Sequence, residues 1–215
     1  MISLFHLFVK FTGWIPQLFA YRTKVCYEDK NIQGRHIRGK AIVVSNHHRI
    51  MDYAVMMFVF RSRTLRCAVA DVVYKKNFIM PPLLKCLGCV CVDRDHHDFT
   101  FIEKLKRVLD RGGVAEIYPE SRLPQDGEET PLEFKPSYVH LALEADAPII
   151  PVYNSGKLPG HKHQYVVIGK PVFVGELYDS AISEKENIQK INDYVRSRII
   201  ELSQEFKTSK KETVS

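Results

Sequence analysis

Apolar residues along this chain follow two rhythms. Short β-branched runs at Ala41–Ser45, Cys67–Ala70, Cys89–Asp93, Val114–Tyr118, Ile149–Tyr153 and Tyr165–Ile168, with a further one at Val172–Val174, predict strands. Between them, apolar positions recur every three or four residues at about Met51–Phe60, Phe99–Leu109 and Tyr138–Ala145, which predicts helices. The clearest helix is the last. Ser183 and Glu186 stand at the spacing of a capping box, and Ile188, Ile191, Val195, Ile199, Leu202 and Phe206 follow at intervals of three or four. Strands alternating with helices predict an α/β fold, a single domain whose mostly parallel or mixed sheet is flanked by helices.

The N-terminal segment obeys neither rhythm. Met1–Tyr21 is rich in Leu, Phe, Ile and Val but is interrupted by His6, Lys10, Gly13, Pro16 and Gln17, so no uninterrupted run of about 18 apolar residues exists to span a bilayer. It also has no basic stretch ahead of its apolar residues and no small-residue cleavage site, the marks of a secretory signal. Leu4, Leu7, Phe8 and Phe11 at helical spacing, then Trp14, with Arg22 and Lys24 beyond, predict an interfacial helix lying in one leaflet. The competing reading is a helix packed on the domain's own core. The expected organisation is an interfacial segment over residues 1–24, the α/β domain over 25–206 and a flexible polar tail over 207–215.

Composition narrows the classes. The chain has 215 residues, 45% hydrophobic and 26% charged, which excludes disorder of the whole chain. Five cysteines without paired spacing argue against a disulfide framework and for a reducing compartment. Cys86, Cys89 and Cys91 read as small buried hydrophobes rather than a zinc site, because no fourth ligand has the usual pairing. The formal charge is +6, and residues 1–50 carry all of it, with eight Lys/Arg against Glu28 and Asp29. Such a quarter suits an anionic partner. The apolar segment beside it favours anionic lipid over nucleic acid, for which no recognition block exists. A second apolar stretch, Phe78–Leu87, follows Lys75 and Lys76 and contains Pro81 and Pro82. It suits equally a core helix and a second membrane-contacting surface that walls an acyl groove.

Candidate chemistry collects where strands end. Ala41–Ser45 runs into Asn46, His47, His48, Arg49 and Asp52; Gly88 opens a run ending at Asp93 and Arg94; Val114–Tyr118 ends at Pro119, Glu120, Ser121 and Arg122. Open α/β sheets place their ligands at such ends. An imidazole, a carboxylate and two guanidinium forks on one rim suit a phosphorylated substrate that must lose a proton.

These residues carry a resemblance. His47 and Asp52 separated by four residues, Gly88 through Arg94, Pro119-Glu120-Ser121-Arg122, and Ile149-Ile150-Pro151-Val152 resemble, in order and spacing, the four blocks of the 1-acylglycerol-3-phosphate acyltransferase family. The match covers about residues 40 to 175. The resemblance implies an α/β domain with a short N-terminal membrane-associating motif. It implies transfer of a fatty acyl group from acyl-CoA or acyl-carrier protein to the free hydroxyl of a lysophospholipid, most simply lysophosphatidic acid, with no cofactor or metal. It also implies that His47 is the general base and Asp52 its orienting partner. Arg94, Glu120, Ser121 and Arg122, with Gly88 and Lys75, then bind substrate at the cytoplasmic face of a membrane to which the enzyme is peripheral or monotopic.

Two departures accompany the match. The third block is usually Pro-Glu-Gly-Thr-Arg and is one residue shorter here, and many members carry a Lys near Asp71, for which Lys75 or Lys76 would substitute. On a continuous helix, spacing alone pairs Asp52 with His48, four residues before it, so His48 stands as rival base. Two further rivals are a metal-dependent hydrolase using the His/Asp cluster and a non-catalytic lipid-binding protein of the same fold.

Overall fold

The computed structural model describes residues 4–92, 100–156 and 163–212. The chain runs α1 (Leu4–Ala20), β1 (Lys24–Tyr27), β2 (Ala41–Ser45), α2 (Asp52–Val59), β3 (Leu65–Ala70), α3 (Asp71–Tyr74), α4 (Met80–Leu87) and β4 (Val90–Val92). It continues through α5 (Thr100–Asp110), β5 (Val114–Ile117), α6 (Ser137–Ala145), β6 (Ile149–Asn154), β7 (Tyr165–Ile168), α7 (Val174–Leu177) and α8 (Glu184–Glu212). The strands form one sheet in the order β1-β7-β6-β2-β5-β3-β4, parallel throughout except where β6 meets β7. This is the mixed α/β sheet flanked by helices that the alternation predicts.

Residue alternation along the central strands sorts the core into two layers. Ile42, Val44, Ala115 and Ile117 pack beneath α5, α6 and α8. Ala41, Val43, Val114, Leu65 and Cys67 turn the other way, beneath α2 and α4. Every residue of β2 and β5 is buried, so these strands read as apolar runs except at Ser45, where β2 ends, and at Glu116. The capping box at the start of α8 closes as expected: Glu186 accepts from the Ser183 N–H at 3.0 Å, and Ser183 Oγ accepts from the Glu186 N–H at 3.3 Å.

Three sequence expectations change. The run at Val172–Val174 is not a strand: Val172 makes one bridge with Ile149, and the chain then turns into α7. With Pro171 before it and Gly175 behind, the run is too short to propagate a ladder. Lys24–Tyr27 becomes the edge strand β1, which four residues of mixed polarity did not announce. Finally α8 continues to Glu212, through the first six residues of the segment read as a polar tail.

The helix α1 is inside out. His6, Lys10, Gly13 and Gln17, the residues that interrupt the apolar segment, fall on one stripe and face the domain. Lys10 Nζ donates to the carbonyls of Arg61 at 3.0 Å and Arg63 at 2.6 Å in the connection between α2 and β3, and Gly13 lies flush against the Phe58 ring. The apolar side chains point away: Phe8 is 61% and Phe11 80% exposed, and Leu4, Trp14, Ile15 and Phe19 are also exposed. In α4, Leu84 and Leu87 are buried while Phe78 and Ile79 just before it stand in the open. No helix among the described residues is long and apolar enough to cross a membrane.

Candidate active site

The parallel strands β2, β5 and β3 deliver their C-terminal ends to one rim. After Ser45 the chain leaves the sheet, makes a turn over Asn46–Met51 and enters α2 at Asp52. His47 therefore lies outside the helix, and the angular argument that favoured His48 does not apply to it. One oxygen of Asp52 closes the turn. Its Oδ2 accepts from the His48 N–H at 2.7 Å, the Arg49 N–H at 2.8 Å and His47 Nδ1 at 2.9 Å. Burial raises the Asp52 pKa, but these donors outweigh it, and the group sits below the ordinary carboxylate range as an anion in the first turn of α2. With Nδ1–H given to Asp52, His47 Nε2 is left with its lone pair as an acceptor. The His47 side chain is 18% exposed, enough to be reached.

Two residues of the turn after β5 hold the imidazole from behind. Tyr118 stacks on it with centroids 4.3 Å apart and planes 26° from parallel, and Glu120 Oε1 accepts the His47 backbone N–H at 3.2 Å. Tyr118 in turn donates its hydroxyl to Glu116 Oε1. Glu116 is wholly buried on β5, facing Tyr53, Cys67 and Cys89; burial pushes its pKa up to about 8, against the pull of the Tyr118 hydrogen bond. Glu120 is pushed up to about 7, again chiefly by burial, with the His47 N–H pulling the other way.

His48 has a different job. Its Nε2 lies 2.9 Å from the Asn154 carbonyl, 3.1 Å from Asn46 Nδ2 and 3.2 Å from Thr130 Oγ1, so the ring is held towards β6 and the Thr130 loop. Burial holds its pKa below the usual histidine value. Asn46 pairs with the same residue: its Oδ1 accepts the Asn154 N–H at 2.7 Å and its Nδ2 donates to the Asn154 carbonyl at 2.9 Å, extending the β2–β6 ladder with a side chain. Gly156 closes this contact, since a Cβ there would stand 2.9 Å from the His48 ring.

Of the other sequence candidates, Glu120, Ser121 and Arg122 share the rim with His47. Ser121 takes a φ of 60° where the family pattern has glycine, and its hydroxyl donates to the Pro119 carbonyl at 3.3 Å. Arg122 forks onto Glu128, with Nη1–Oε2 at 2.6 Å and Nη2–Oε1 at 2.8 Å. Lys75 follows β3 on the same rim and pairs with Asp71 at 2.6 Å. Gly88 is elsewhere: it ends α4 with a φ of 76° ahead of β4, on the opposite rim, and a Cβ there would overlap the Arg66 guanidinium at 1.4 Å. Arg94 lies outside the described residues, as do His96, His97 and His161, while His163 Nδ1 donates to the Arg22 carbonyl. Among the described residues no cluster of three or more His, Cys, Asp or Glu could hold a metal ion. Tyr118, Glu116, Thr130 and Asn154 were not singled out as site residues by the sequence reading, which named Asn46 only as the first of the polar run after β2.

Comparison with known proteins converges on this domain. The acyltransferase family profile matches residues 24–155, from β1 through the end of β6. A 1-acyl-sn-glycerol-3-phosphate acyltransferase of Limnanthes douglasii is 31% identical over 176 residues, covering 77% of this chain and 59% of that protein. The beta form of the same enzyme from Homo sapiens is 28% identical over 144 residues, covering 66% and 51%. The chain thus spans little more than half the length of these relatives. The crystal structure of the 1-acyl-sn-glycerophosphate acyltransferase PlsC from Thermotoga maritima has the same fold, with a TM-score of 0.62 at 20% identity over 92% of this chain and 79% of that one.

Proposed function

From the premise that the chain belongs to the acyltransferase family, we propose that it esterifies the free hydroxyl of a lysophospholipid, lysophosphatidic acid before others, with a fatty acyl group carried as a thioester of CoA or acyl-carrier protein. One observation carries the reading: an imidazole at a strand end, its Nδ1 held 2.9 Å from a buried aspartate and its Nε2 turned to a half-open rim.

A thioester is already activated, so the protein needs to supply only a nucleophile. His47 Nε2 takes the proton of the acceptor hydroxyl as that oxygen attacks the thioester carbonyl. The tetrahedral adduct collapses, the carbon–sulfur bond breaks, and the departing thiolate takes the proton back from His47. Asp52 keeps Nδ1 protonated and stabilises the imidazolium between the two transfers. No acyl-enzyme forms. On the acceptor side, Arg94 and Arg122 bind the lysolipid phosphate, Arg122 exchanging Glu128 for the stronger bidentate partner, with Lys75, Glu120 and Ser121 on the same rim.

The inverted α1 supports attachment to a membrane. A helix that turns its His and Lys inward and its Phe, Leu and Trp outward loses on both counts in water and on neither against lipid. The enzyme is therefore peripheral or monotopic, on the cytoplasmic side where thioester donors are made. Purified protein incubated with lysophosphatidic acid and each donor in turn, with phosphatidic acid followed, tests the activity. Turnover with neither donor, while the protein is folded and bound to vesicles, refutes it.

A further inference from the structure

Besides the cations that the sequence concentrates in its first 50 residues, the fold gathers a second set around a cavity. On the rim opposite His47 lies a hollow of about 710 Å³ between the α2–β3 connection and the C-terminal half of α5. Its wall includes Arg63, Arg66, Lys104, Arg107 and Arg111 and no carboxylate. Arg63 is committed to the fold, donating to the Ile37 carbonyl at 2.8 Å and to the Gly112 carbonyl. The one ion pair in the wall among the described residues is a loose contact of Arg107 with Glu103 at 3.8 Å. An adjoining hollow of about 580 Å³ shares Arg66 and Lys104 and adds Lys85. Like charges around a concavity reinforce one another's potential and concentrate anions there.

The position of this hollow selects the anion. Lys10 pins α1 to the carbonyls of Arg61 and Arg63, the very connection that walls the hollow, and Lys85 stands on the last turn of α4, whose approach carries the exposed Phe78 and Ile79. The cations thus border both elements whose apolar side chains face outward, where the headgroup layer lies if those side chains enter lipid. We propose that this hollow binds the phosphate headgroup of an anionic bilayer phospholipid, a phosphomonoester before a diester, and so holds the enzyme on acidic membrane. This rests on the membrane reading above. Guanidinium forks match phosphate oxygens in shape and charge, and a phosphomonoester offers the greater charge.

The test measures partition of the full chain onto neutral phosphatidylcholine vesicles and onto vesicles doped with phosphatidic acid. In a triple variant, Lys104→Gln, Arg107→Gln and Arg111→Gln, all three positions are exposed and the core is untouched. Each cation near an acidic leaflet contributes about fivefold in affinity, so the variant should lose about a hundredfold on acidic vesicles and nothing on neutral ones. A matched triple on α8, Lys185→Gln, Lys190→Gln and Lys207→Gln, exposed on the other side of the sheet from α1 and α4, should lose far less. Equal losses for the two triples, or none for the first, overturn the site. Wild-type protein that binds both vesicles equally also overturns it, whereas wild-type protein that binds neither removes the membrane reading beneath it. A first triple that keeps its vesicle affinity but loses affinity for soluble coenzyme A assigns the hollow to a donor's phosphates instead.

Discussion

Replacing Asp52 with Asn keeps the shape of the side chain and removes its charge, and two separate losses follow. The first is structural. Oδ2 accepts three N–H donors, two from the turn and one from the imidazole, in a buried place. An amide oxygen in the same position still accepts hydrogen bonds but forfeits the charge assistance, a difference of about 1.5–3 kcal/mol. For a domain of this size that is a fall in Tm of roughly 3–12 °C. Because the folded-state pKa of Asp52 is depressed, the wild-type advantage is fully present above the unfolded carboxylate range and disappears as pH falls through the folded value. The second loss is kinetic: an amide cannot stabilise the imidazolium, and turnover should fall by about 10²–10⁴, or 2.7–5.4 kcal/mol of barrier. Thermal melts from pH 7 to pH 3 and initial rates of lysophosphatidic acid acylation separate the two. A variant that melts lower but turns over within about threefold of wild type would show that Asp52 only ties the turn, and the base assignment would lose its partner.

Gly88→Ala should destabilise the protein by at least the 1–2 kcal/mol of a left-handed backbone, roughly, because its Cβ also displaces the Arg66 guanidinium; a melt checks it, and an unchanged Tm contradicts the packing. Glu116 has its folded pKa raised to about 8, so the native state holds a proton that the unfolded chain has released, and stability falls as pH rises between the unfolded carboxylate value and about 8. Its slope, at most about 1.4 kcal/mol per pH unit, adds to that of Glu120, raised to about 7, so Glu116→Gln melts should be flatter than wild type by that amount, most plainly between pH 7 and 8; curves parallel to wild type assign the trend to another group. Phe8→Asp with Phe11→Asp should leave the Tm within about 1 °C while abolishing partition to vesicles, since both side chains face outward. A large drop in Tm would mean that the two rings cover the domain.

Most of the sheet was legible because β2, β5, β6 and β7 are buried on both faces and leave largely apolar runs, broken inside only by Glu116, and α8 announced itself through its cap and its stripe. The edges were not. Lys24–Tyr27 is half polar because one side of an edge strand meets water, and Val172 pairs over a single residue, a length at which strand and turn look alike. At the site, His47 and Asp52 could be named from their order. What spacing alone could not decide was that α2 begins only at Asp52, leaving His47 in the turn before it, because that turn depends on a carboxylate accepting from two backbone N–H groups. The supports at Tyr118, Asn154 and Thr130 come from other strands and loops and meet only in three dimensions. His6 and Lys10 appeared as interruptions in an apolar segment; the fold makes them the inward stripe of α1.

The most direct test of the account is the rate of phosphatidic acid formation by His47→Ala at pH 7 under saturating donor and acceptor. The variant gives up the stack on Tyr118 and one of the three donors to Asp52, so it should melt below wild type yet remain folded at the assay temperature, while turnover falls by at least the 10²–10⁴ that a general base contributes. A folded His47→Ala protein that turns over within tenfold of wild type would contradict the claim that this imidazole takes the acceptor's proton.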